Sequence, residues 1–178
     1  DRHWIIKPTF SAVKNFYLTD YAAAQKEKDG PWGLIDKSGA WVLDPIYKNL
    51  DSPIQDDLCI ACDSKTDKYG FINLSGEWVI EPIYSSIGSN DLNEASIIVV
   101  RDPKSDLVGL MDLRDKHMIT SFEYAKVYLT RSEPYPALDN TSHLWGYIDR
   151  TGAWVVPPRY KEFRGFSSNG LAAVKSEE

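Results

Sequence analysis

One pattern, written three times over, restricts what this chain can fold into. The segment WGLIDKSGAWVLDPIY at 32–47 returns as YGFINLSGEWVIEPIY at 69–84 and as WGYIDRTGAWVVPPRY at 145–160. A worn copy, VGLMDLRDKHMI, lies between them at 108–119. The aligned glycines Gly33, Gly70, Gly109 and Gly146 are 37, 39 and 37 residues apart, a regularity that chance does not give. A period of this length marks a chain in which one small supersecondary unit is stacked on copies of itself.

A second piece precedes each glycine by twelve residues: YAAA from Tyr21, LCIA from Leu58 and IIVV from Ile97. LAAV from Leu171 is a further copy, and YPAL from Tyr135 is a poor one. At the front, Trp4 to Phe10 matches Trp41 to Tyr47 at an offset of 37. The chain therefore divides into about five units in one domain spanning 1–178: a partial one at 1–31, then 32–68, 69–107, 108–144 and 145–178.

Each unit carries a hairpin signal. Asp-x-Ser/Thr-Gly between two apolar runs predicts a type I turn with the glycine in the left-handed conformation. Asp36, Asn73 and Asp149 sit where a side-chain oxygen accepts turn N–H groups. In this register Ile35 faces Trp41 and Gly33 faces Leu43. Gly33 is then diagonal to Trp41 on one face, and the indole lies over it. Pro45, Pro82 and Pro158 end the pairing of each tryptophan strand or confine it to a sheet edge. A unit is thus about three short strands. Sustained helical periodicity is nowhere seen, so the class is all-β, in tandem antiparallel hairpins forming a solenoid or, alternatively, a closed propeller- or barrel-like ring. The structural repeat positions are Trp32, Gly33, Trp41, Gly70, Trp78, Trp145, Gly146 and Trp154.

These residues resemble the WG repeat family of bacteria, named for its Trp-Gly pair, over nearly the whole chain from Trp4 to Val174. The resemblance implies no shared catalytic residue and a varied set of roles, and such repeats often look exported, which leans the location toward the cell envelope. The unit around Gly109 departs from the pattern, with Val108 for the aromatic, His117 for the strand tryptophan and Ser121 for the proline.

Composition narrows the partners. The net charge is −6, without a basic run, which argues against nucleic acid, whose binding requires clustered cations on phosphates. The longest apolar run, Ile97 to Val100, is strand-sized, so no membrane insertion is expected. Asp1-Arg2-His3-Trp4 has no secretory-signal pattern, although a chain numbered from a cleaved signal would read the same way. Cys59 and Cys62 form a lone CxxC on a strand, where residues three apart face opposite sides. They read as small apolar residues, with a labile disulfide as the alternative.

Chemistry is sparse. The Asp-x-Ser/Thr-Gly turns resemble the aspartic-protease triplet, but they contain an extra residue, and one of them carries Asn73 instead. His3, His117 and His143 share no metal spacing, and His117 is expected to be packed or half exposed. No nucleophile elbow or phosphate loop is present. No catalytic residue, metal or cofactor is expected.

All six tryptophans fall at repeat positions and read as packing residues. The non-repeat aromatics are better contacts: Phe16 and Tyr17, Phe163 and Phe166, and above all Tyr128 and Tyr135 in the deviant linker. With Arg131 these last two make the preferred partner-binding cluster, because Tyr and Arg dominate binding hot spots. The acidic loop with Asp51, Asp56 and Asp57 suits a basic partner. The expectation is a non-catalytic protein-binding module, for instance an immunity or inhibitor protein facing a basic toxin domain. The alternatives are a structural cell-envelope repeat without a dedicated partner, or a carbohydrate-binding or hydrolytic protein.

Overall fold

The computed structural model describes residues 4–16, 19–54, 57–88, 96–130, 133–164 and 172–175. It divides into two compact units, Asp1–Tyr84 and Ser85–Glu178. Among the described residues every sheet is antiparallel and follows chain order, with one short strand branching off the path of the largest. Among these residues no sheet closes on itself and there is no α-helix, hence no helix long and apolar enough to cross a membrane.

The first compact unit holds two four-stranded sheets. One is β1 (Ala12–Val13), β2 (Tyr21–Gln25), β3 (Trp32–Asp36) and β4 (Trp41–Tyr47). The other is β5 (Asn49–Leu50), β6 (Cys59–Cys62), β7 (Tyr69–Ile72) and β8 (Trp78–Tyr84). The second compact unit repeats the arrangement. There β9 (Ser86–Gly88), β10 (Ile97–Arg101), β11 (Val108–Asp112) and β12 (His117–Met118) join, through the single pair Val108–Tyr124, to a further set. That set is β13 (Tyr124–Val127), β14 (Tyr135–Asp139), β15 (Trp145–Ile148) and β16 (Trp154–Tyr160), followed by the pair β17 (Glu162–Phe163) and β18 (Val174–Lys175).

The structural unit therefore has four strands where three were expected. The extra one is the two- to four-residue strand that follows each aromatic terminus, too short to show a period. The ladders also fix the phase of the repeat. Each four-strand unit begins just after that aromatic, at Asn49, Ser86 and Lys126, whereas the sequence divisions begin at the Trp-Gly pair.

The hairpin chemistry is as read. Gly39, at φ +86°, closes a turn in which its N–H donates to the Asp36 carbonyl at 3.0 Å. Asp36 Oδ1 accepts from the Ser38 hydroxyl at 2.6 Å and from the N–H groups of Ser38 and Ala40 at 2.8 and 3.1 Å. Asp149 does the same with Thr151 and Ala153, and Asn73 Oδ1 accepts from the N–H groups of Ser75 and Glu77. The Ser38 and Thr151 hydroxyls, aided by these N–H groups, hold the Asp36 and Asp149 carboxyls below the usual range. These aspartates are turn caps.

The expected facing of Ile35 and Trp41 is present, but Leu34, not Gly33, pairs with Leu43. Strand β4 carries extra residues between its pairs, a bulge that takes it off the ladder and over Gly33. A Cβ added to Gly33 would lie 2.6 Å from the Leu43 carbonyl oxygen, 2.6 Å from Trp41 Cζ3 and 2.8 Å from the Pro45 nitrogen. The same irregularity recurs between β7 and β8 and between β15 and β16, and Trp154 lies over Gly146 likewise. β4, β8 and β16 are sheet edges, as their prolines require.

Aromatic contacts join one repeat to the next within each compact unit. Tyr47 of β4 meets Trp78 edge-on at 6.3 Å, and Tyr124 of β13 meets Trp154 at 5.7 Å. Phe10 meets Trp41 in the same way at 5.4 Å. Such pairs contribute about 0.5–1.5 kcal/mol each beyond burial. The Tyr124 hydroxyl donates to the Gly152 carbonyl, at the next hairpin turn, at 2.6 Å. One core lies between the first two sheets, with Leu34, Leu43, Leu50, Cys59 and Ile72. Its counterpart in the second compact unit holds Leu110, Tyr124, Tyr135 and Ile148.

Three expectations need correction. The β11–β12 hairpin loop is one residue longer than its siblings, so Met118, not His117, pairs with Met111 where Trp41 pairs with Ile35. Met118 Cε fills the space over Gly109, and His117 is exposed, not packed or half exposed. Trp4 is 74 % exposed, and residues 4–10 form no strand, because that segment enters no ladder. His3, Tyr17, Phe166 and Leu171 lie outside the described residues.

Candidate functional site

The partner-binding residues named from sequence separate on inspection. Tyr135 is 2 % exposed. It occupies the inward position that is Ala22, Cys59 and Ile98 in the sister sheets, and it packs with Leu110, Tyr124 and Ile148. It is a core residue, unable to touch a partner in the folded state. Arg131 and Asp56 lie outside the described residues. Asp51 holds Lys14 Nζ at 2.6 Å, which itself reaches Asn49 Oδ1 at 3.0 Å, so this carboxylate ties the second sheet to the first. Ser52 and Pro53 of the same loop are buried. Asp57 is exposed, at φ +57°.

Tyr128 remains, and it sits in a defined setting. It follows β13, and its N–H donates to the Pro136 carbonyl at 2.9 Å. Its ring stacks on Trp145 at 5.7 Å and 22°, and it leans on Phe163 at 5.6 Å. Trp145 and Phe163 touch at 4.3 Å. Lys126 Nζ lies 4.6 Å from the Tyr128 ring centroid, a cation–π contact. At 40 % exposure, Tyr128 is an aromatic group held on its inner side and open on its outer side.

Beside this stack is a concavity of about 320 Å³. One wall is the face of β9, β10 and β11 that carries Gly88, Val99, Arg101 and Val108; the other is Lys126 to Leu129. Among the described residues its lining holds two cations, Lys126 and an Arg101 paired with Asp106, and no carboxylate, in a chain of net charge −6. Sequence reasoning missed Lys126, Arg101 and Gly88. The available signal was that the deviant unit had lost its aromatic at Val108.

Cys59 and Cys62 are free and buried, and burial pushes the Cys59 thiol up to about 12. Such thiols are protonated and inert. With Ellman's reagent we expect negligible reaction of the native chain and titration of both thiols after unfolding in denaturant; rapid native labelling would show that β6 opens. Among the described residues no group of His, Cys, Asp and Glu could hold a metal ion.

Comparison with known proteins agrees with the ladder. No curated protein matches the chain. The model of the WG containing repeat matches residues 32–63, 69–100 and 145–178, together more than half the chain. It passes over Val108 and the Lys126 to Leu129 wall of the concavity, whereas Gly88 and Val99 fall within the second matched segment. The matched segments hold the Trp-Gly strand, the capped hairpin and the proline-bearing edge strand in repeated form, and the chain belongs to the WG containing repeat family.

Proposed function

We propose that this chain is a non-catalytic recognition module that binds another protein through the surface around Tyr128. The observation that carries the reading is the stack itself. An exposed tyrosine already immobilised on Trp145 and Phe163 loses little conformational freedom when a partner covers it. Aromatic anchors of this kind dominate interface energetics. The described residues supply no competing arrangement: the aspartates of the hairpin turns are caps, and the cysteines are buried.

The finer form of the proposal is an immunity or inhibitor protein that neutralises a toxin or effector. Net charge −6 supports long-range steering of a partner that is basic overall, while the part of it that meets the aromatic stack is neutral or acidic, because Lys126 lies over the Tyr128 ring. Asp57 is the exposed carboxylate of the acidic loop that serves this role, since Asp51 is engaged by Lys14. Affinity capture from the source organism, followed by titration of the purified partner, tests the reading. The Tyr128→Ala chain is expected to bind that partner at least about tenfold more weakly, the loss of roughly 1.4 kcal/mol at an anchor. Equal binding by both chains would move the site elsewhere. Absence of any captured protein would favour a structural, cell-envelope role.

A further inference from the structure

We propose that the concavity in the third repeat is a binding pocket for a carboxylate borne on a small apolar body, such as an aryl-substituted carboxylic acid. The repeats provide an internal comparison. Lys14, Asp51, Gly88 and Tyr128 occupy one ladder position, at the end of or just after the short first strand of each unit. In two repeats this position covers the aromatic of the Trp-Gly pair: Lys14 Nζ sits 4.8 Å over Trp32, and Tyr128 stacks on Trp145. In the third repeat both partners are cut back, to Gly88 and Val108. The space they would fill is the concavity.

Gly88 is not required by its backbone. An added Cβ would find its nearest neighbour, Val99 Cβ, at 3.7 Å, an ordinary contact. This contrasts with Gly33, where the same atom would collide with main chain. The small residue at 88 therefore leaves room without relieving any clash. Because Gly88 pairs with Val99, and Arg101 with Ser86 and Val108, these side chains project to one face.

The lining specifies the ligand class. Val99, Val108, Val127 and Leu129 offer an apolar surface, and Tyr128 an aromatic wall. Arg101 and Lys126 supply the charge. Nη1 of Arg101 donates to the Asp106 carbonyl and lies 3.3 Å from Asp106 Oδ1, and of the five N–H donors of the guanidinium the ligand would take those on the other nitrogens. The Lys126 ammonium lies over the Tyr128 ring face. A monocarboxylate with an apolar body pairs with both cations while its carbon skeleton covers the valines. At about 320 Å³ the volume is at the small end of ligand pockets.

The test is titration of the full chain with 3-phenylpropionate, followed by amide shifts and by fluorescence of Trp145 beneath Tyr128. Saturable shifts confined to Gly88, Val99, Arg101 and Lys126 to Leu129 are expected. Lys126→Gln should weaken binding about tenfold, the loss of one charge-assisted contact. Gly88→Leu should abolish binding while the melting temperature holds; Val108→Trp, which restores the sister repeats' aromatic, gives a second filled pocket. A peptide ending in a free phenylalanine carboxylate, compared with the same peptide amidated, tells whether the acid comes from a chain terminus. The proposal is overturned if no saturable shift occurs at millimolar acid, if 3-phenylpropionamide binds as well as the acid, or if the filled variants bind undiminished. None of these outcomes depends on whether Tyr128 contacts a protein partner.

Discussion

Gly33→Ala should lower the stability of the first compact unit by about 3 kcal/mol, near the upper end for overpacking a tight site. The added methyl would lie 2.6 Å from the Leu43 carbonyl oxygen and 2.6 Å from Trp41 Cζ3. Neither neighbour can yield cheaply. The carbonyl belongs to a strand bent by its own bulge, and the indole is wedged against Phe10. Relief would mean lifting β4 from β3 and separating the hairpin that the Asp36 cap closes. Gly88→Ala is the control, with its nearest contact at 3.7 Å and a change expected within about 0.5 kcal/mol. Urea unfolding followed by tryptophan fluorescence measures both. Equal losses at the two glycines would mean that the arch over Gly33 is not there.

The second large effect separates two tyrosines that sequence placed side by side. Tyr135→Ala should cost about 4 kcal/mol, the usual range for deleting a fully buried large ring. It empties a site enclosed by Leu110, Tyr124 and Ile148. Tyr128→Ala should cost only about 1 kcal/mol, the loss of a half-exposed stacking contact. Paired thermal melts of the two variants decide the matter. A milder loss at Tyr135 than at Tyr128 would return Tyr135 to the surface and restore it as a contact residue.

The difference between these tyrosines shows what could be read in advance. The capped hairpin at Asp36, Asn73 and Asp149 was legible because its determinants lie within five consecutive residues. A second turn was just as local and went unread. Asp63, Asp102 and Asp139 accept from the N–H and hydroxyl of Thr66, Ser105 and Ser142, closing the hairpins before β7, β11 and β15. It varies more between copies and so stood out less. Met118 was mistaken for its neighbour because one inserted loop residue changes which side chain reaches over Gly109. Tyr135 looked exceptional beside two prolines, yet only the ladder with Ile148 shows that it points inward. The concavity was hidden for a different reason: it is defined by side chains missing at Gly88 and Val108. Absences acquire meaning only after strand pairing has aligned the repeats.

The prolines on β4, β8 and β16 have a consequence for the chain as a polymer in a crowded solution. A protein of stacked meanders presents many strand borders, each a template on which another copy could add by main-chain pairing. Pro45, Pro82, and Pro157 with Pro158, interrupt the row of donors on these borders, and the bulges twist them away from a flat profile. The residues that let the tryptophan strand arch over its glycine thus also guard against fibrous self-association, so that the repeats can multiply along one chain without inviting growth between chains.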